Sequence, residues 1–549
     1  MNLPLSPLLV VPIVLPLVSA ALLLLLDDRR WHLKSLVNVG TTLASLLVAL
    51  YILQRVDAGD PGGTVGVYLA GNWEAPFGIA LVADRLSALM LVLTGVVGLC
   101  SAVYASAAWS RAGVYFHALF QIQLMGLHGA FLTGDLFNLF VFFEVMLAAS
   151  YGLHLHGSGW ARVRAGLHYI AVNLLASSLF LIGLAMLYGI TGTLCMADLA
   201  AKLPQVPAHD RGLLHAGFAI LAVAFLTKAA MWPLNLWLVR AYTTTSAPVA
   251  ALFALMSKVG IYTLLRLSTL FFSGSVGVST HFGASVFLYG GLATLLVAIV
   301  GIAGTTQAAR IAGYSILVSS GTLLATMGLG GVAMTSAALY YLLSATLAAS
   351  ALFLLVELLQ RASASAPAPL PDIEAWEDTN LDERAEPLVG REIPLSHALL
   401  GLTFVVSAVL VAGLPPLSGF VAKLALLTTA IRPAGYGIEA PLPSLGGWFF
   451  CVLLLVSGLF STVAFCKVGM RYFWSSSIPS ATPVKATEAA SVLALLLACV
   501  WLTVRSESTL RYTRDTAAAL HAPGSYILAV LSARPRPGPT RPGVAAEAP

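Results

Sequence analysis

A single carboxylate, Glu144, stands about ten residues deep in FLTGDLFNLFVFFEVMLAASY (131–151), a stretch otherwise fit to sit in hydrocarbon. An ionised side chain there costs several kcal/mol unless it is paired or hydrated, so an acid inside a span marks an ion path by default. Three lysines, Lys228, Lys258 and Lys423, lie at similar depth in later apolar segments. At ~6 Å and an effective dielectric near 20, one charge acts on another by about 3 kcal/mol, enough to load or release a proton. A deep acid with buried amines is what proton transfer through a membrane needs. Two accessory candidates stand near them, each with a plainer alternative. Asp135 opens the same segment, where it either caps the helix or joins the path. His168 lies on the next segment and serves equally as a hydrogen-bonded structural residue.

Two of the lysines sit beside helix breakers. Pro233 follows Lys228 in KAAMWPLNLW (228–237), and Pro415 and Pro416 precede Lys423 in AGLPPLSGFVAK (412–423). Proline removes a backbone donor and opens the helix, which a membrane tolerates only beside protein or a watered cavity. Each break is therefore expected to mark a wet site.

The segments that must carry these groups are transmembrane helices. The chain has 549 residues, 58% hydrophobic and 10% charged, which excludes an ordinary soluble domain. Apolar runs of about twenty residues recur, each long enough to cross a ~30 Å core, and no sustained alternation suggests a membrane barrel. About fourteen spans are expected, near 4–26, 34–54, 79–108, 113–133, 134–156, 164–190, 213–240, 247–271, 284–305, 311–330, 333–358, 396–432, 446–470 and 487–505. Arginine and lysine concentrate in the odd-numbered loops, which puts those loops in the cytoplasm and both termini outside. Residues 55–78 read as an external loop or hairpin, 361–395 as an acidic cytoplasmic linker, and the tail as an interfacial patch (Tyr526 to Leu531) with a disordered Pro/Arg end.

Lys258-Val259-Gly260 in the eighth span is echoed by Lys467-Val468-Gly469 in the thirteenth. With broken helices at spans seven and twelve, this suggests two inverted five-helix repeats, spans 4–8 and 9–13. The organisation expected is N-terminal helices and loop (1–110), first repeat (111–272), second repeat (281–475) and a last helix with its tail (486–549).

Other features point away from chemistry. A net charge of +5 spread over short loops gives no nucleic-acid footprint. The five cysteines show no metal or redox spacing, and no nucleotide or redox motif is present. No cofactor, metal or catalytic centre is expected, and Glu144 is read as the one deep carboxylate. Asp84 and Arg85 read as an interfacial pair, His154 and His156 as solvated at a span end, and Tyr340 and Tyr341 as packing.

Four stretches, LAGNWEAPFGIALVADRLSALM (69–90), GAFLTGDLFNLFVFFEVMLAASYGL (129–153), GITGTLCMADLA (189–200) and AGLPPLSGFVAKLALL (412–427), resemble one family. It is that of the antiporter-like membrane subunits of Mrp-type (Mnh/Pha) cation/proton antiporters, respiratory complex I and membrane-bound hydrogenases, with the likeness strongest to the D-type Mrp subunits. The resemblance implies fourteen spans, inverted repeats and a polar axis at mid-membrane. It implies a bacterial plasma-membrane complex with subunits A, C and smaller ones, exchanging H+ for Na+ or K+; the alternative is a proton-pumping subunit of complex I or a membrane-bound hydrogenase. By position Glu144 matches the fifth-helix glutamate, Lys228 the seventh-helix lysine, Lys258 the eighth-helix lysine and Lys423 the charged residue of the twelfth. Departures gather mostly in the second half: Ser344, Ala345 and Ala349 stand where relatives carry histidine or lysine. In the seventh span Asn235 replaces a histidine, and Val239-Arg240 a Pro-Asp pair.

Overall fold

The computed structural model describes residues 5–58, 64–109, 113, 115–272, 279–364, 395–432, 444–473 and 484–535. Most of the acidic linker and the Pro/Arg end of the tail lie outside these residues. Among the described residues, thirteen helices are long and apolar enough to cross a membrane, α1 and α2 below counting as one. In chain order the helices are α1 (Leu5–Leu8), α2 (Val11–Leu25), α3 (Trp31–Asp57), α4 (Arg85–Ala105), α5 (Phe116–Leu132), α6 (Leu136–Leu155), α7 (Trp160–Thr191), α8 (Met196–Lys202), α9 (Arg211–Lys228), α10 (Leu238–Thr244), α11 (Ala247–Phe271), α12 (Ala284–Ala303), α13 (Ala308–Leu329), α14 (Val332–Ala364), α15 (Leu395–Ala412), α16 (Ser418–Ile431), α17 (Leu445–Phe473), α18 (Ala486–Val504), α19 (Ser506–His521) and α20 (Gly524–Leu531). The fourteenth expected span is α5, whose 17 residues lie between α2 and α6.

Burial sorts the helices. α11 is buried on nearly every side, packed by α4, α9, α13 and α14, as expected of a helix apolar all round. α2, α3, α15, α17 and α18 are mostly unburied and leave leucine and valine faces exposed. The loop before α4 is a two-stranded antiparallel hairpin, β1 (Gly66–Leu69) paired with β2 (Ala80–Ala83), as its glycines and prolines suggested.

The two breaks are where proline placed them. α9 stops at Lys228, Ala230 takes a left-handed turn at φ 57°, and helix resumes at Leu238 beyond Pro233. α15 stops at Ala412, Gly413 turns at φ 77°, and α16 starts at Ser418 beyond Pro416.

Two surface expectations are corrected. Asp84 and Arg85 do not pair with each other. Asp84 is turned back as the N-cap of α4 and accepts two hydrogen bonds from Arg266 of α11, at 2.5 and 2.7 Å, while Arg85 reaches Asp57 and Asp515. Burial pushes the Asp84 carboxyl up, but the Arg266 guanidinium and its hydrogen bonds outweigh that and hold it below its ordinary 3.8. His154 and His156 are buried, because the start of α7 and the turn before α11 cover them: His154 meets Thr245 (2.8 Å) and the Arg162 carbonyl (3.2 Å), and His156 the Trp109 carbonyl (3.2 Å). In the tail patch, α20 packs on α8 and β1 with Tyr526 and Val530 buried and Leu528 exposed, and the preceding α19 packs on α14 and α11.

Candidate functional site

Glu144 lies two turns into α6, half-buried, and its carboxylate accepts a hydrogen bond from Ser177 of α7. One turn back on α7, Asn173 Oδ1 accepts from the Lys228 ammonium at 2.5 Å. Asn173 and Ser177 are four residues apart, so they share one face of α7. That face bridges acid and amine: no ion pair joins Glu144 to Lys228 among the described residues, yet the carboxylate lies close enough for its charge to act on the amine. Asn173 is fully buried and its amide donates to the Tyr169 carbonyl at 2.6 Å, which fixes its oxygen toward Lys228. Sequence reasoning passed over both residues. Their signal is the polar i, i+4, i+8 stripe Tyr169, Asn173, Ser177 along an apolar helix.

Lys228 occupies the last turn of α9, where the carbonyls freed by the break favour a cation. α11 meets it closely because position 260 is glycine: a Cβ there would lie 2.8 Å from the Phe225 carbonyl oxygen, 2.9 Å from Ala229 N and 3.1 Å from Lys228 Cβ. Lys258, two residues earlier on α11, is completely buried, and its amine has no hydrogen-bond partner among the described residues. A buried ammonium without a partner is costly, so this amine is either hydrated or neutral.

Lys423 lies one turn into α16 and donates to the Ala412 carbonyl at 2.7 Å, an oxygen released where α15 ends. It borders a cavity of about 30 Å3 that Ser315, Tyr341, Ser344 and Ser461 also line, room for at least one water by the ~10–15 Å3 a water needs. Ser344 pairs with Ser418 at 2.8 Å. Ser319, one turn along α13 from Ser315, and neighbouring Ser320 carry buried hydroxyls without partners among the described residues.

The candidates are not all brought together. Asp135 is the N-cap of α6, accepting from Asn138 N at 2.8 Å, and His168 is exposed on the outer face of α7. Lys467, the echo of Lys258, is exposed too. Two further carboxylates are covered by the protein at helix ends and not in mid-span: Glu357 of α14 accepts from the Trp109 indole (2.9 Å) and Ala247 N (3.2 Å). Beside it Arg361 pairs with Glu488 at 2.9 Å, a carboxylate 1% exposed in the first turn of α18. These acids lie near helix ends, where residue type alone says little about burial.

An acid bridged through neutral side chains to a buried amine beside one helix break, with a second buried amine beside another break, points to a class. Residues 133–438 match the model of the NADH:quinone oxidoreductase/Mrp antiporter membrane family, and the chain belongs to that family. Among its relatives, a probable K(+)/H(+) antiporter subunit of the D type from Rhizobium meliloti (strain 1021) is 48% identical over 538 residues, 97% of this chain and 99% of the relative. The D-type Na(+)/H(+) antiporter subunit of Alkalihalophilus pseudofirmus is 35% identical, over 85% of this chain and 87% of the relative. Among solved structures, a chain of the Mrp complex from Dietzia sp. DQ12-45-1b superposes with a TM-score of 0.79 at 27% identity, covering 96% of this chain and 99% of that one. A chain of respiratory complex I from Thermus thermophilus, at 21% identity and a TM-score of 0.71 over 95% and 99% of the two chains, shares the fold. The protein is a multi-pass membrane protein, and the structures it matches are subunits of larger complexes.

Proposed function

We propose that this chain is a membrane subunit of a multisubunit antiporter exchanging H+ for Na+ or K+, and that it supplies the proton path. Support comes from the D-type relatives together with one observation: Glu144 and Lys228 are joined through Ser177 and Asn173 instead of being locked as an ion pair. A direct pair would hold both charges; a neutral bridge leaves each free to change. When Lys228 swings from Asn173 toward Glu144 the carboxylate gives up its proton, and when it swings back the carboxylate reloads. The break after Lys228 supplies the room for that motion. Lys258 receives the charge next, and the hydroxyls Ser319, Ser315 and Ser344 with intervening water carry it to Lys423.

On this reading the chain lies in the bacterial plasma membrane with both termini outside, its two halves are inverted repeats, and its exposed apolar faces meet lipid and the A, C and small subunits. The cation crosses elsewhere in the complex or along the same axis. A redox-driven pump is the competing reading, and the names of the D-type relatives favour exchange.

The test is cation-dependent proton exchange in everted vesicles of an antiporter-deficient strain expressing the full subunit set. Lys228→Ala is expected to reduce exchange roughly 100-fold, the scale of losing a positioned proton-transfer group, with the complex still assembled. Exchange near the unmodified level would sink the proposal.

A further inference from the structure

A second polar file lies away from Glu144, between α2, α3 and α5. Every buried residue of α3 from Lys34 to Ser45 is polar, namely Lys34, Ser35, Asn38, Thr42 and Ser45, whereas those beyond are Ala49, Ile52 and Val56. The facing stripe of α5 carries His117, Gln121 and His128, spaced by four and seven residues and all buried. The Gln121 amide donates to Asn38 Oδ1 at 2.7 Å and to Thr42 Oγ at 3.0 Å, and so ties the two stripes together.

The stripe is not closed on itself. Asn38 Nδ2, Ser45 Oγ, both His117 ring nitrogens, Gln121 Oε1 and His128 Nε2 are buried with no partner among the described residues. Unmet donors and acceptors at such density call for a ligand that is both. A dehydrated monovalent cation satisfies only the oxygens and leaves the donor Asn38 Nδ2 unmet. Water satisfies all of them. At the α2–α3 turn the file meets a polar cavity of about 170 Å3 bordered by Asp27, Lys34, Tyr115 and His117.

The inner end is chemically specified. Pro16, inside α2, has no N–H, so the carbonyl of Pro12 four residues before it loses its helical donor. His128 Nδ1 supplies that donor at 2.8 Å. The neutral imidazole then carries its proton on Nδ1 and presents Nε2 as a bare acceptor.

We infer that α2, α3 and α5 enclose a water file that opens at the α2–α3 turn, runs about 16 Å along the helices and delivers protons to His128 Nε2, separately from the Glu144–Lys228 line. Its transport role rests on the exchange function proposed above; its hydration does not.

Two measurements on the assembled complex test it, in a Cys466→Ser background. Ser45→Cys is expected to react with aminoethyl methanethiosulfonate, added from the side of the α2–α3 turn, at least about tenfold faster than Leu127→Cys, which is equally buried but off the stripe. No labelling of Ser45→Cys, or equal labelling of both, overturns the file, whatever the complex transports. In exchange assays His128→Leu and His128→Asn are both expected to lose at least about fivefold, because asparagine replaces the donor to Pro12 but not the proton acceptor. Exchange restored by asparagine, or retained in both variants, shows a structural histidine and overturns proton delivery.

Discussion

The first half of the molecule pairs its buried amine with an acid through a neutral bridge; the second half gives its amine only backbone and hydroxyls. Lys228 has Asn173, Ser177 and Glu144 in line, whereas Lys423 has the Ala412 carbonyl and a cavity edged by serines. The difference teaches where charge is stored. An acid and an amine within each other's field hold two alternative protonation states, while a lone amine among hydroxyls passes a proton only as fast as water brings it. The first half is built to be switched, and the second to relay.

That contrast can be broken most directly at the charges. Glu144→Gln is expected to reduce exchange roughly 100-fold, the low end of the ~100-fold to 10,000-fold range for such groups, and Lys423→Ala by clearly less. Equal losses in vesicle exchange would erase the asymmetry. Asn173→Leu leaves Lys228 buried without its acceptor, a cost of about 1.5–3 kcal/mol for a charged hydrogen bond, and exchange is expected to fall by roughly tenfold with assembly retained.

Packing offers a smaller test. Gly260 and Gly469 occupy the echoed positions, but a Cβ at 260 meets fixed backbone at 2.8 Å, whereas one at 469 meets a movable Phe404 ring at 3.1 Å. Gly260→Ala is expected to cost about 1–3 kcal/mol, the usual penalty of overpacking, and Gly469→Ala under ~0.5 kcal/mol, read as thermal unfolding of the solubilised complex. Smallest of all, Ser344→Ala removes one neutral hydrogen bond worth about 1 kcal/mol and should slow exchange by no more than a few-fold. A complete loss there would make the serines obligatory carriers.

Much of this was legible in the chain. An acid or amine inside an apolar run is costly enough that its burial follows from type and depth, and the prolines fall inside both helix breaks. What stayed hidden depended on partners distant in sequence. Asn173 and Ser177 are neutral, so nothing in their own cost betrays them; only their spacing does. Asp84 meets Arg266, 182 residues on, rather than its neighbour Arg85, because adjacent residues at a helix start point about 100° apart. His154 and His156 were misplaced for the same reason: a span end is solvated only if no other helix covers it. His168 shows the converse, a titratable residue in a span that faces outward.

The last segment of the chain has a consequence for the order in which the molecule is completed. Tyr512 of α19 donates to the Arg85 carbonyl, Asp515 pairs with Arg85, and Tyr526 of α20 lies with its ring 5.2 Å from the Arg266 guanidinium. The start of α4, made early, and the end of α11, made midway, therefore wait for residues synthesised after the final span before their shared carboxylate and guanidinium are roofed over. A chain that stops before Ser506 keeps its spans but leaves that salt link uncovered, so the segment from Ser506 to Leu531 acts as the keystone of a junction laid down hundreds of residues earlier.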